Sequence, residues 1–154
     1  MQVSIRDSRR GDFEELWRID QLCFQTGIAY SKQELGYYMA AKNAFTLVAE
    51  VTQKDGGFKT VGFLVGQKYA RGMGHIITID VLPEARRAQV GSQLMEVAEA
   101  KLKAGGCASI FLEAAVNNQA ALKFYKKRGY FVLKTIPRYY NDELDAFLLG
   151  KDLN

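Results

Sequence analysis

Histidine occurs once in this chain of 154 residues, and proline and cysteine twice each. Each scarcity excludes something. Cys23 and Cys107 show no C-x-x-C spacing, so neither a zinc site nor a disulfide scaffold is indicated, and no metal is expected. Two free, buried thiols suit a reducing cytoplasm. A cysteine hydrolase would need one of them beside His75, and neither sits in a nucleophile signature. No stretch approaches the roughly 20 apolar residues that cross a bilayer. The opening "MQVSIRDSRR" lacks the apolar core of a signal peptide. The expectation is a cytoplasmic protein with no membrane partner.

A chain of this length is expected to form a single domain, 1–154, able to bury a core without staples. Hydrophobic residues make up 48% and charged residues 25%, as in ordinary soluble proteins. The net charge of +4 is mild, and no basic-aromatic element accompanies it, so no nucleic-acid partner is expected. Nothing in the sequence chooses between monomer and homodimer.

Periodicity orders the elements. "QVSIRD" alternates as a strand. "GDFEELWRIDQLCF" carries a mostly apolar stripe of Phe13, Leu16, Trp17, Asp20, Cys23 and Phe24 at helical spacing. Ser31-x-x-Glu34 is a capping box that opens a second helix. "AFTLVAEV", the turn "KDGG" and "FKTVGFLVGQKY" make a hairpin, and "HIITIDVL" is a fourth strand ended by Pro83. A helix over 90–104 follows, with Val90, Leu94, Val97, Ala98 and Leu102 as its buried stripe and Gly105-Gly106 as its stop. After the strand "SIFLEAAV", Asn118 caps a helix that ends at Gly129, and two final strands close the chain. The order β-α-α-β-β-β-α-β-α-β-β predicts an α/β fold, a mixed central sheet of about seven strands flanked by about four helices.

One loop asks a chemical question. "RRAQVGSQLM" lies between a strand and a helix, where unpaired N–H groups and the helix dipole favour an anion. Arg86 and Arg87 would reinforce that attraction, and Gly91 would let a ligand approach the backbone. The loop fits neither G-x-G-x-x-G nor G-x-x-x-x-G-K-[ST]. On its own it reads equally as a solvated basic connection.

Its surroundings resemble a known pattern. "VLPEARRAQVGSQLM" is similar to the acyl-CoA pyrophosphate motif of the GNAT superfamily of amine N-acetyltransferases, V-x-P-x-x-R/Q-x-x-G-x-G/A. Val81, Pro83, Arg86 and Gly91 match, and Gln89 stands in place of the first glycine. "LEAAVNNQAALKFYKKRGY" resembles the family's second signature, with Glu113, Asn118, Ala121, Tyr125, Gly129 and Tyr130 in register. "CFQTGIAYSKQEL" and "PRYYNDELDAFLL" look like the acceptor loop and late Tyr-Tyr segment of the branch that acetylates protein N-termini, including the ribosomal-protein alanine N-acetyltransferases.

The resemblance implies an acetyl-CoA-dependent N-acetyltransferase that transfers an acetyl group directly to a primary amine, foremost the N-terminal α-amine of a protein or peptide. A polyamine, amino acid or aminoglycoside is the alternative acceptor, and a non-catalytic CoA-binding sensor is the rival of another class. Glu113 is implied as the base and Tyr125 as the acid for the CoA sulfur, with His75 able to share or relay the proton. Unaided, Glu113 reads as a costly charge in an apolar strand, and Tyr125 as part of a core stripe. Acetyl-CoA would be held by Val81, Arg86, Arg87, Ala88, Gln89, Val90, Gly91, Ser92, Asn118, Ala121 and Tyr125. Phe24, Tyr30, Tyr139 and Tyr140 would wall the acceptor's first residue. Gln89 is expected to supply its backbone N–H from an ordinary right-handed or bridge conformation.

Overall fold

The computed structural model describes residues 2–154, and the expected element order is realised. The strands are β1 (Val3–Asp7), β2 (Ala44–Thr52), β3 (Phe58–Tyr69), β4 (Met73–Val81), β5 (Ser109–Ala115), β6 (Phe131–Tyr140) and β7 (Leu144–Asp152). The helices are α1 (Phe13–Cys23), α2 (Lys32–Ala40), α3 (Val90–Ala104) and α4 (Gln119–Lys127). A single seven-stranded sheet runs in the order β1-β2-β3-β4-β5-β7-β6. Among the described residues only β4 and β5 are parallel neighbours. No helix among the described residues is long and apolar enough to cross a membrane.

Alternation along the strands fills two cores, one on each face. Leu47, Ala49, Leu64 and Ile76 point to the face covered by α3 and α4, where they meet Leu94, Met95, Ala98 and Leu122. Val48, Phe63 and Val65 point the other way, against Leu16 and Ile19 of α1 and Leu35 of α2. The caps are as the sequence dictates. Ser31 Oγ accepts from the Glu34 N–H at 3.1 Å while Glu34 accepts from the Ser31 N–H at 2.9 Å. Asn118 Oδ1 accepts from the Ala121 N–H at 3.1 Å. One expected core position fails. Val97 is 39% exposed and Met95 is buried in its stead. The row Val90–Leu94–Ala98–Leu102 steps by four, and with Met95 it turns its centre away from Val97.

The strands that position the site are deformed. The β3–β4 register slips between Val65 and Gly66, leaving Ile77 as an extra residue on β4. Such a bulge leaves a residue out of the ladder and twists its strand. Three pairs, Met73–Ser109, Gly74–Ile110 and His75–Phe111, are all that join β4 to β5. Past His75 the two strands separate.

Gln89 corrects an expectation. It lies at φ 61°, ψ 25°, in the left-handed region, between a 3-10 turn (Pro83–Ala88) and α3. The turn closes tightly enough that the chain must reverse its hand before the helix can start. A side chain with a Cβ is strained there by about 1–2 kcal/mol, which is why glycine suits the position.

Two buried carboxyls tie α1 to β4. Asp20 Oδ2 accepts from the Tyr30 N–H at 2.7 Å, and Asp80 Oδ1 accepts from the Thr78 hydroxyl at 2.6 Å. Asp20 is also close enough to act on the Asp80 carboxyl and raise it. Asp20 Oδ1 and Asp80 Oδ2 find no hydrogen-bond partner among the described residues. Two neighbouring buried carboxyls disfavour carrying two charges, so a proton on Asp80 is favoured. Burial first, then Asp20, holds the Asp80 carboxyl well above the usual carboxylate range.

Both strains are open to measurement. Gln89→Gly relieves the left-handed backbone and raises the thermal midpoint by about 2–4 °C, readable by calorimetry. Asp80 keeps in the folded state a proton that it loses in the unfolded chain from about pH 4 upward, so its contribution to stability is lost as pH rises through its folded value. Asp80→Asn supplies an N–H donor without that proton. Urea denaturation across a pH series should therefore show the variant losing less stability toward alkaline pH, with a gain at pH 8 of about 1–3 kcal/mol.

Candidate active site

The parting of β4 from β5 opens a cleft of about 1040 Å³. Ile76 to Ile79 of β4 form one wall and Leu112 to Ala115 of β5 the other. Both signature segments reach it. Val81, Arg86, Gln89, Gly91 and Ser92 of the first and Asn118, Ala121 and Tyr125 of the second line it. Phe24, Tyr30 and Tyr140 also line the cleft, and Glu113 lies within the split.

The remaining expected residues sit elsewhere. Val90 is fully buried and Ala88 packs against the same core, so only their backbones can serve a ligand. Arg87 is exposed and does not line the cleft. Tyr139 packs edge-on against Tyr140 at 4.9 Å, outside the lining. Gly91 is explained partly by packing. A Cβ there would lie 3.3 Å from the Phe124 ring, so the glycine lets α4 approach α3.

Glu113 is not alone. Its Oε1 stands 2.7 Å from His75 Nε2, and both side chains are mostly buried. His75 Nδ1 lies 2.8 Å from the Tyr69 hydroxyl, and the imidazole stacks on Phe111 with centroids 4.3 Å apart at 12°. Strand alternation explains the grouping. His75 pairs with Gln67 and with Phe111, so Tyr69 (two beyond Gln67) and Glu113 (two beyond Phe111) share its face. His75 itself does not line the cleft and stands behind the carboxylate.

Tyr125 comes from the other side of the sheet. The apolar stripe of α4 buries it to 7% exposure, with its ring against Phe124 and Tyr130. Burial, followed by Tyr140 and Asp80, holds its phenol above the ordinary tyrosine value. It therefore keeps its proton at neutral pH and is a hydrogen-bond donor aimed at the cleft.

Three cationic groups line the cleft, Arg86, Lys127 and Arg128. Arg86 Nε donates to the Val81 carbonyl at 3.0 Å, which turns its guanidinium back along the strand. Arg128 is held by Glu99, which also takes Tyr130 and Lys151. Lys127 and Arg128 stand at the C-terminal end of α4, where cations complement the helix dipole. Their place in the cleft depends on how α4 is docked. Cys23 donates to the Val81 carbonyl at 3.3 Å, and burial, with Asp80 adding, pushes its thiol up to about 11. It is inert at neutral pH.

The match to known proteins covers most of the chain. Residues 13–130 fit the model of the acetyltransferase (GNAT) family. An uncharacterized N-acetyltransferase of Methanocaldococcus jannaschii is 34% identical over 148 residues, covering 96% of this chain and 90% of that protein. An N-alpha-acetyltransferase of Sulfurisphaera tokodaii is 26% identical over 99% of this chain and 94% of its own length. Among solved structures, Arabidopsis thaliana Naa50 in complex with the bisubstrate analogue CoA-Ac-MVNAL superposes with a TM-score of 0.80 at 25% identity, over 98% of this chain and 99% of that one. With two signature segments meeting in one split sheet, this chain belongs to the acetyltransferase (GNAT) family.

Proposed function

We propose that this acetyltransferase uses acetyl-CoA to acetylate the N-terminal α-amine of peptides or proteins, with Glu113 as base and Tyr125 as hydrogen-bond donor to the departing sulfur. The observation that carries the reading is that Glu113 and Tyr125, which belong to opposite faces of the sheet, both line the cleft where β4 leaves β5. The α-amine acceptor is supported by a relative named N-alpha-acetyltransferase and by a neighbour solved with a CoA–peptide conjugate. The free thiols of Cys23 and Cys107 are consistent with work in the cytoplasm.

The donor fits the residues present. Val81 ends β4 beside an open strand edge, suited to pair with an amide-bearing pantetheine arm. The N-terminus of α3 with Arg86, and the cationic pair Lys127 and Arg128, suit a diphosphate and a further phosphate.

The chemistry matches the acceptor. An α-amine titrates at about 7.7–8.0, so baring it at pH 7 costs about 1 kcal/mol, whereas lysine at about 10.4 needs far more. A carboxylate such as Glu113 can accept that proton directly or through a water, which lets the nitrogen attack the thioester carbonyl. The leaving thiolate, whose thiol titrates at about 8.5, is a weaker base than a phenolate, whose phenol titrates at about 10. The upward shift of Tyr125 widens that gap. Tyr125 therefore stabilises the sulfur by donating a hydrogen bond and keeps its proton.

Tyr125→Phe should lower kcat by about 10²-fold with little change in KM for acetyl-CoA, since the lost bond forms only as charge develops on sulfur. Glu113→Gln should lower turnover by about 10²-fold or more, most of all at low pH where the amine is protonated, as a pH–rate profile will show. The acceptor is tested by screening acetyl-CoA turnover against peptides with varied first residues, polyamines and lysine peptides. Preference for a peptide α-amine supports the assignment, and turnover confined to small amines overturns it.

A further inference from the structure

We infer that Tyr69 is a positioning residue for this reaction, acting through His75 to hold and polarise Glu113. The inference rests on the reading of Glu113 as base. Donors and acceptors fix the direction of the chain. An ionised Glu113 can only accept, so His75 Nε2 carries the hydrogen across their 2.7 Å contact. In the tautomer that gives Nε2 the hydrogen, Nδ1 offers a lone pair to the Tyr69 hydroxyl 2.8 Å away, which donates to it. Burial and then Glu113 raise the Tyr69 phenol, which keeps the hydrogen it donates.

The packing around this chain leaves the imidazole little choice. Phe111 stacks on His75, and the Tyr69 ring sits 5.9 Å from Phe111 and 5.6 Å from His75. Both ring nitrogens are occupied, one by the carboxylate and one by the phenol. With its tautomer and plane set, His75 can brace Oε1 of Glu113 and leave the rest of the carboxylate toward the cleft. A histidine oriented by an outer partner is a recurrent way to tune a working group. Here the partner is a tyrosine at the end of β3, 36% exposed, whose hydroxyl is not needed for the core.

The test uses the whole protein. His75 is its only histidine, so in ¹⁵N spectra of protein bearing no histidine tag the ring nitrogens are read without assignment. Tyr69→Phe keeps the aromatic contacts and removes only the donor. It should move the Nδ1 resonance, shift the pH–rate profile, and lower kcat about tenfold with KM for acetyl-CoA unchanged, the scale on which one bond of a charged network counts. In a His75→Ala background the same substitution should have no further effect on kcat. Unchanged nitrogen resonances, or an equal loss of kcat in both backgrounds, overturn the proposal. Normal turnover by Glu113→Gln overturns the base assignment and this proposal with it. Normal turnover by Tyr69→Phe beside a disabled Glu113→Gln overturns the proposal alone.

Discussion

Past His75, β4 and β5 stop exchanging hydrogen bonds, and the consequences of that separation run through the molecule. A parallel pair buried between two helical layers would ordinarily zip along its length, because every unpaired N–H and C=O left inside is costly. Here only three residue pairs form, and the bulge at Ile77 twists β4 away. The unpaired strand edges become walls of a cleft, with polar backbone groups available to a ligand. Because the split passes through the sheet, groups on its two faces meet in one space. Glu113 comes from the α1 and α2 side, and Tyr125 from the α3 and α4 side.

Two buried acidic arrangements border this space, and their surroundings give them opposite characters. Glu113 faces a ring nitrogen of His75 at 2.7 Å. Asp80 is buried near a second carboxyl, and burial first, then Asp20, favours its protonated form. The first arrangement suits a group that must accept a proton during turnover. The second suits a clamp, since Asp20 also holds the Tyr30 backbone and the Tyr30 hydroxyl reaches the Ile77 carbonyl at 3.4 Å. The loop bearing Tyr30 is thereby tied to the bulged strand that forms the cleft wall.

Much of this is legible in the sequence because it is local. The capping box at Ser31, the Asn118 cap and the strand alternation depend on neighbours within a few residues, and they set the element order. The two signature segments single out Glu113 and Tyr125 from a chain containing eight tyrosines. What stays hidden is non-local or conformational. Tyr69 meets His75 only through the register of the β3–β4 hairpin, and Asp20 meets Asp80 from a distant part of the sequence. A signal for Asp80 does exist, since it is a lone carboxylate in the apolar run "HIITIDVL" and carries the same cost that draws attention to Glu113. Gln89 misleads because glutamine gives no hint of positive φ. The requirement comes from the 3-10 turn before it. His75 reads from sequence as a proton partner, and the structure places it beside Glu113 but outside the cleft lining.

The central claim is that the split sheet holds the reacting atoms between Glu113 and Tyr125. The most direct measurement is a crystal structure with CoA joined through an acetyl group to the α-amine of a short peptide. The account predicts the peptide nitrogen within hydrogen-bond reach of Glu113, directly or through one water, and the sulfur within reach of the Tyr125 hydroxyl. A sulfur remote from Tyr125, or a peptide seated away from Glu113, would contradict it.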